Sequence, residues 1–139
     1  MDPQIEHKIR DSFARQGLMQ TFGAQIRFLE PGQVHITAPL TQGVSQQHGF
    51  GHAGLTFAIG DSAAGYAALT AFDPETEVLT AEMKINLLAP AAGDMLIAKG
   101  RVIKTGRRLS VVAADVYAIQ NNVETLIAVL QGTMVPVSG

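Results

Sequence analysis

The chain has 139 residues, 47% of them hydrophobic and 16% charged, with a formal net charge of −2 and no cysteine. This composition excludes general disorder and fits one domain with a full core, with apolar surface to spare for an oligomer interface. The near-neutral charge speaks against nucleic acid as a partner. The missing cysteines exclude a disulfide framework, a thiolate metal site and a Cys nucleophile.

The start, Met1 to Lys8, has no basic segment followed by an apolar run, so no signal peptide is expected and a soluble cytoplasmic protein is the default. Asp2-Pro3 reads as an N-cap followed by Pro at the first helical position. Ile5, Ile9 and Phe13 repeat at i, i+4, i+8, which predicts an amphipathic helix ending near Gly17. Thr21–Leu29 and Val34–Pro39 read as strands around the turn signal Glu30-Pro31-Gly32-Gln33. Residues 41–51, rich in Gly and amides, read as loop.

From about residue 52 to 71 runs an almost uncharged stretch of Ala, Gly, Leu, Ile, Phe and Tyr, too long for a typical strand. It predicts a buried central helix, apolar nearly all round, whose small residues let a sheet wrap it closely. Gly60 and Gly65 are expected to serve that close packing, since Gly costs a helix about 1 kcal/mol against Ala. Asp61 is the single charge from Leu55 to Ala71, and its position together with the many Ala and Gly residues argues against a membrane span. A carboxylate in the middle of such a helix is costly unless the function needs it.

After the turn Phe72-Asp73-Pro74, strands are expected at Val78–Leu88, Met95–Lys104, Leu109–Gln120 and Thr125–Val135. In the first, Thr80, Glu82, Lys84 and Asn86 alternate with Leu79, Ala81, Met83, Ile85 and Leu87. Asn121-Asn122 closes a hairpin. The layout is α+β: a curved antiparallel sheet around a long helix, in a single domain over 1–139.

A long hydrophobic helix wrapped by such a sheet resembles the hotdog fold. The run Gln46…Gly49…His52-Ala53-Gly54…Asp61 is similar to the signature of the phenylacetate-pathway (PaaI-type) acyl-CoA thioesterases. In that family an Asn or Gln lies six residues before a His-Gly-Gly, and an acid nine residues after that His. Glu82–Pro90 and Lys104–Leu109 resemble the family's strand and turn, so the likeness covers about residues 20–136.

The resemblance implies thioester hydrolysis between paired subunits, in a dimer or a tetramer of two dimers, with Asp61 of one subunit facing the Gln46–Ala53 corner of the other. Asp61 would act as nucleophile or as general base on water, and sequence leaves both routes open. A helix N-terminus offers unpaired N–H groups and the positive end of the dipole. The backbone N–H of Ala53 is the expected oxyanion donor, although Ala departs from the family's usual Gly there and its Cβ narrows the slot. Gln46 would orient the carbonyl or the water, and Thr80 aligns with a family position whose hydroxyl steers water. His52 is expected to hold the loop through a ring N–H bond to a carbonyl.

The resemblance further implies coenzyme A as part of the substrate, with Gly54 beside it and Lys104, Arg107 and Arg108 near its phosphates; Arg suits phosphate geometry. Phe57, Tyr66 and Phe72 are candidate lining for the acyl group, and Asn86 and Pro90 are expected to set a strand end. No metal or redox cofactor is expected: His48 and His52 stand four apart, but no carboxylate or Cys lies nearby. Two other functions fit the fold. One is a non-catalytic acyl-CoA-binding module, which would tolerate loss of Asp61. The other is a dehydratase or hydratase, whose usual His-Phe-Pro-type motif is missing here.

Overall fold

In the computed structural model, which describes residues 1–138, the Asp2 side chain accepts from the Gln4 N–H at 2.8 Å and opens helix α1, Pro3–Ala14. The apolar row then does what its spacing predicts: Ile5 and Ile9 are buried, and Phe13 packs against the core. Where a strand was expected from Thr21, the chain instead forms a second helix, α2, Gly17–Phe22. Gly23 ends it at φ 68°, a conformation glycine takes without strain. Met19 buries its side chain from this helix, so packing overrides the strand-like composition.

The sheet strands follow as β1 (Gln25–Glu30), β2 (Gln33–Pro39), β3 (Thr76–Leu87), β4 (Met95–Thr105), β5 (Ser110–Gln120) and β6 (Val123–Ser138). They form one antiparallel sheet in the order β1-β2-β4-β5-β6-β3. The expected strands from Val34 onward are all present, with ends shifted by up to three residues. The β5–β6 hairpin turns at Asn121 and Asn122, both with positive φ (52° and 63°), as a two-residue hairpin requires.

The central helix α3, Ala53–Leu69, lies on one face of this sheet against β2, β3, β4, β5 and β6. Its underside is fully buried Ile59, Ala63, Ala64, Ala67 and Ala68, so the backbone itself approaches the strands. Gly100 on β4 makes that approach possible: a Cβ there would stand 2.3 Å from the Ala63 carbonyl carbon. Gly60 likewise leaves room for Leu130, whose Cδ2 would lie 2.9 Å from an added Cβ. Gly65 does not share this role, because a Cβ there would meet only the flexible Met134 side chain, at ordinary contact distance, 3.6 Å from Cε. No helix among the described residues is long and apolar enough to cross a membrane. This architecture, a long helix embraced by a six-stranded antiparallel sheet, is the hotdog fold.

The β3 strand departs from simple alternation. Thr80 pairs with Met134 and Glu82 with Thr133, so Ala81 is an extra residue, a β-bulge. Before the bulge Thr80 faces α3, and after it Met83 and Ile85 pack against the core while Glu82 turns to the outer face and bonds Thr133. β3 is also an edge of the sheet, with Leu79 and Leu87 at 62% and 57% exposure.

Candidate active site

Asp61 sits two turns into α3, half-buried, and its Oδ1 accepts a hydrogen bond of 2.8 Å from the Thr80 hydroxyl. The bulge at Ala81 is what aims Thr80 inward, so the strand and the helix meet at this bond. Burial holds the Asp61 carboxyl above the usual carboxylate range, and the Thr80 bond works against that rise. The carboxylate is not sealed in. It borders a cavity of about 260 Å³ whose wall also includes Ser12, Gln16, Tyr66, Val78 and Met134.

The second place is the entry to α3. His52 is its N-cap, with Nδ1 accepting from the Gly54 N–H at 2.7 Å. The ring therefore holds the junction as an acceptor, where a donated ring N–H bond was expected; a capping position calls for an acceptor because the first helical N–H groups have no carbonyl behind them. Gly54 suits this cap, since a Cβ there would press to 3.0 Å from His52 Nδ1. Its N–H is engaged by the ring, whereas the Ala53 N–H has no partner among the described residues.

The preceding loop is folded onto the Gln46 side chain. Gln46 Oε1 accepts from the N–H groups of His48 (2.6 Å) and Phe50 (3.1 Å), and the Gln46 N–H donates to Phe50 O at 2.8 Å. The loop is pinned at its end by Gly51 N–H to Ala91 O (2.9 Å) and His52 N–H to Val44 O (2.8 Å). Gln46, His52 and Ala53 line a separate cavity of about 480 Å³, with Thr56, Leu87 and Ile127 among its other walls. Ile127 reaches it because it is the extra residue of a bulge in β6.

These two places do not meet within one chain. Asp61 lies eight residues beyond Ala53 on α3, about 12 Å along the axis at 1.5 Å per residue, and their cavities share no lining residue. Lys104, Arg107 and Arg108 cluster at the β4–β5 turn, and none forms an ion pair among the described residues. Arg107 borders a cleft with Asp73 and Glu75. Of the aromatic candidates, Tyr66 lines the Asp61 cavity, while Phe57 stands on the exposed side of α3 at 36% and Phe72 lines neither cavity. Among the described residues no three His, Asp or Glu side chains converge as metal ligands.

Sequence reasoning passed over Ser12 and Gln16. Their signal was present: Lys8, Ser12 and Gln16 form a second i, i+4, i+8 row, polar and parallel to the apolar one. It reads as a solvated face, yet it docks on the body of the protein.

A long central helix embraced by an antiparallel sheet is an architecture this chain shares with known thioesterases. The thioesterase superfamily model matches residues 48–125. The crystal structure of a thioesterase family protein from Silicibacter pomeroyi is 43% identical, covering 97% of this chain and 99% of that one, with a TM-score of 0.94. The 1,4-dihydroxy-2-naphthoyl-CoA hydrolase of Listeria monocytogenes is 27% identical over 95 residues, 68% of this chain and 77% of that protein. The E. coli PaaI protein from the phenylacetic acid degradation operon shares the fold at 20% identity, with a TM-score of 0.86 over 98% of this chain and 95% of that one. The chain belongs to the thioesterase superfamily.

Proposed function

We propose that the protein is an acyl-CoA thioesterase whose active sites form between two copies of the chain. The observation that carries this reading is the separation within one chain of a half-buried carboxylate and an open helix-tip N–H. One thioester carbonyl must lie within hydrogen-bond reach of both an activating base and an oxyanion donor. Two copies with α3 helices side by side and antiparallel bring Asp61 of one to Ala53 of the other. The free β3 edge and the exposed Leu79, Leu87 and Phe57 supply a surface for that pairing.

In this site the thioester oxygen takes the Ala53 N–H, and the helix dipole favours the charge that develops there. Asp61 either attacks the carbonyl carbon, breaking the C–S bond to expel the coenzyme A thiolate and leave an anhydride that water opens, or takes a proton from the attacking water, after which the tetrahedral intermediate breaks the C–S bond and the thiolate leaves with a proton. Thr80 fixes the carboxylate. Gln46, whose Oε1 is committed to its own loop, keeps its amide Nε2 for the carbonyl or the water. Lys104, Arg107 and Arg108 meet the phosphates of coenzyme A. The reaction needs no redox or metal cofactor. The naming of the Listeria relative as a CoA hydrolase supports this choice of substrate class.

Thiol release from a panel of acyl-CoAs tests the reading. Asp61→Asn is expected to lower turnover by at least about 100-fold, the ordinary loss for a general base. Unchanged turnover in the variant would remove Asp61 from the mechanism, and a wild type silent on short, medium, long and aryl chains would favour a non-catalytic binding module.

A further inference from the structure

Ser12 of helix α1 and Gln16, in the link from α1 to α2, form one wall of the Asp61 cavity, and we propose that this wall limits the length of the acyl group the cavity admits; the proposal rests on the thioesterase reading above. The cavity measures about 260 Å³. A cavity of about 150 Å³ is enough for a benzene ring, so the part of the site within one chain has room for a single ring or a short chain, and a longer alkyl chain directed at this wall runs into it. Leu69, Val78 and Met134 are the apolar part of its lining, Ser62 and Glu77 add polar groups, and the Ser12–Gln16 wall is polar.

That wall is a closed hydrogen-bond cluster. The Tyr66 hydroxyl accepts from Gln16 Nε2 at 2.8 Å and shares a 3.0 Å bond with the Ser12 hydroxyl. Phe13 meets the Tyr66 ring edge-on at 6.3 Å between centroids. One turn before Ser12, Lys8 fastens the helix: its Nζ donates to Pro74 O at 2.6 Å and to Thr76 O, and pairs with Glu77 at 3.2 Å. A methyl end driven into this cluster would strip three polar groups of their partners and offer none in return. The wall is therefore a stop.

Opposite changes at the cavity follow from its geometry. Ser12→Ala with Gln16→Ala removes two of the three polar groups of the stop and adds space. Gly65→Ala does the reverse: its methyl enters the cavity at ordinary contact with Met134, 3.6 Å from Cε, and raises helix propensity, so this variant folds. None of the three residues belongs to the reacting centre.

The test measures affinity for a series of non-hydrolysable alkyl-CoA thioethers from two to twelve carbons, alongside turnover of the matching acyl-CoAs. The double variant is expected to gain about tenfold in affinity for the longest thioethers with the shortest unchanged, and Gly65→Ala to lose about tenfold on medium chains, differences of the size a single methylene produces. If the double variant is unstable, Tyr66→Phe, which deletes only the central hydroxyl, is expected to shift the profile the same way. Length profiles that run parallel in all these proteins would overturn the proposal. Absent turnover with the expected thioether profiles would overturn the thioesterase reading alone; no thioether binding at all would overturn both.

Discussion

Asp61 carries two opposed requirements, and Thr80 sets the balance between them. Burial favours the protonated acid, while the proposed reaction needs the carboxylate. Activity is therefore expected to rise with pH through a limb displaced above the ordinary carboxylate value of about 3.9. Thr80→Val deletes the one hydrogen bond that opposes the rise, so its limb in a kcat/KM profile moves to still higher pH; a profile superimposable on wild type would show that Thr80 does not hold the carboxylate. The same shift appears in stability. Because the folded protein disfavours the charged form, its cost is fully present above the raised value and absent below the ordinary one, where the acid is neutral folded and unfolded. Asp61→Asn keeps an oxygen for Thr80 and loses the charge, so its Tm is expected to exceed that of wild type at pH 7 to 8. The gain should vanish as pH falls through the ordinary carboxylate range. A thermal scan of both proteins across that range decides it.

At the scale of elements, what sequence could show depended on whether a local signal survived tertiary packing. The length and apolarity of the 52–71 stretch, the lone Asp61 within it and the Asn-Asn hairpin are all properties of neighbouring residues, and each is visible in the chain alone. Helix α2 is not, because Met19 finds its burial only in the assembled core. Nor is the face on which Thr80 lies. Strict alternation groups it with Glu82 and Lys84, and only the extra residue at Ala81, a matter of pairing with β6, turns it toward Asp61. The basic β4–β5 turn remains a prediction of this scale. Replacing Lys104, Arg107 and Arg108 together by Ala is expected to raise KM for an acyl-CoA roughly tenfold, the weight of one lost charge-assisted bond. Hydrolysis of the same acyl group on N-acetylcysteamine, which has no phosphates, should be unchanged. Equal effects on both substrates would place the turn in the fold and not at the nucleotide.

For the whole molecule the question is whether each active site draws on two copies of the chain, and a pair of individually defective variants answers it. Ala53→Pro removes the open N–H at the tip of α3 while keeping the helix, since Pro is well suited to the first helical position and His52 before it is already extended, at φ −68° and ψ 142°. Turnover is expected to fall by about 10²–10³, the usual loss of one oxyanion donor, with Tm close to wild type. Asp61→Asn is defective for the other reason. Mixed and allowed to exchange subunits, these two variants form hybrid dimers in which one site is doubly damaged and the other has both an intact carboxylate and an intact helix tip. Random exchange makes about half the dimers hybrid, so the mixture should recover about a quarter of wild-type turnover. The recovery should track the rate of subunit exchange and disappear when the copies are cross-linked before mixing. A mixture that stays as inactive as its components, with exchange demonstrated by mass spectrometry, would mean that Asp61 and Ala53 do not serve one thioester across the pair. The separation of about 12 Å along α3 would then have to be explained by a substrate carbonyl that needs only one of them.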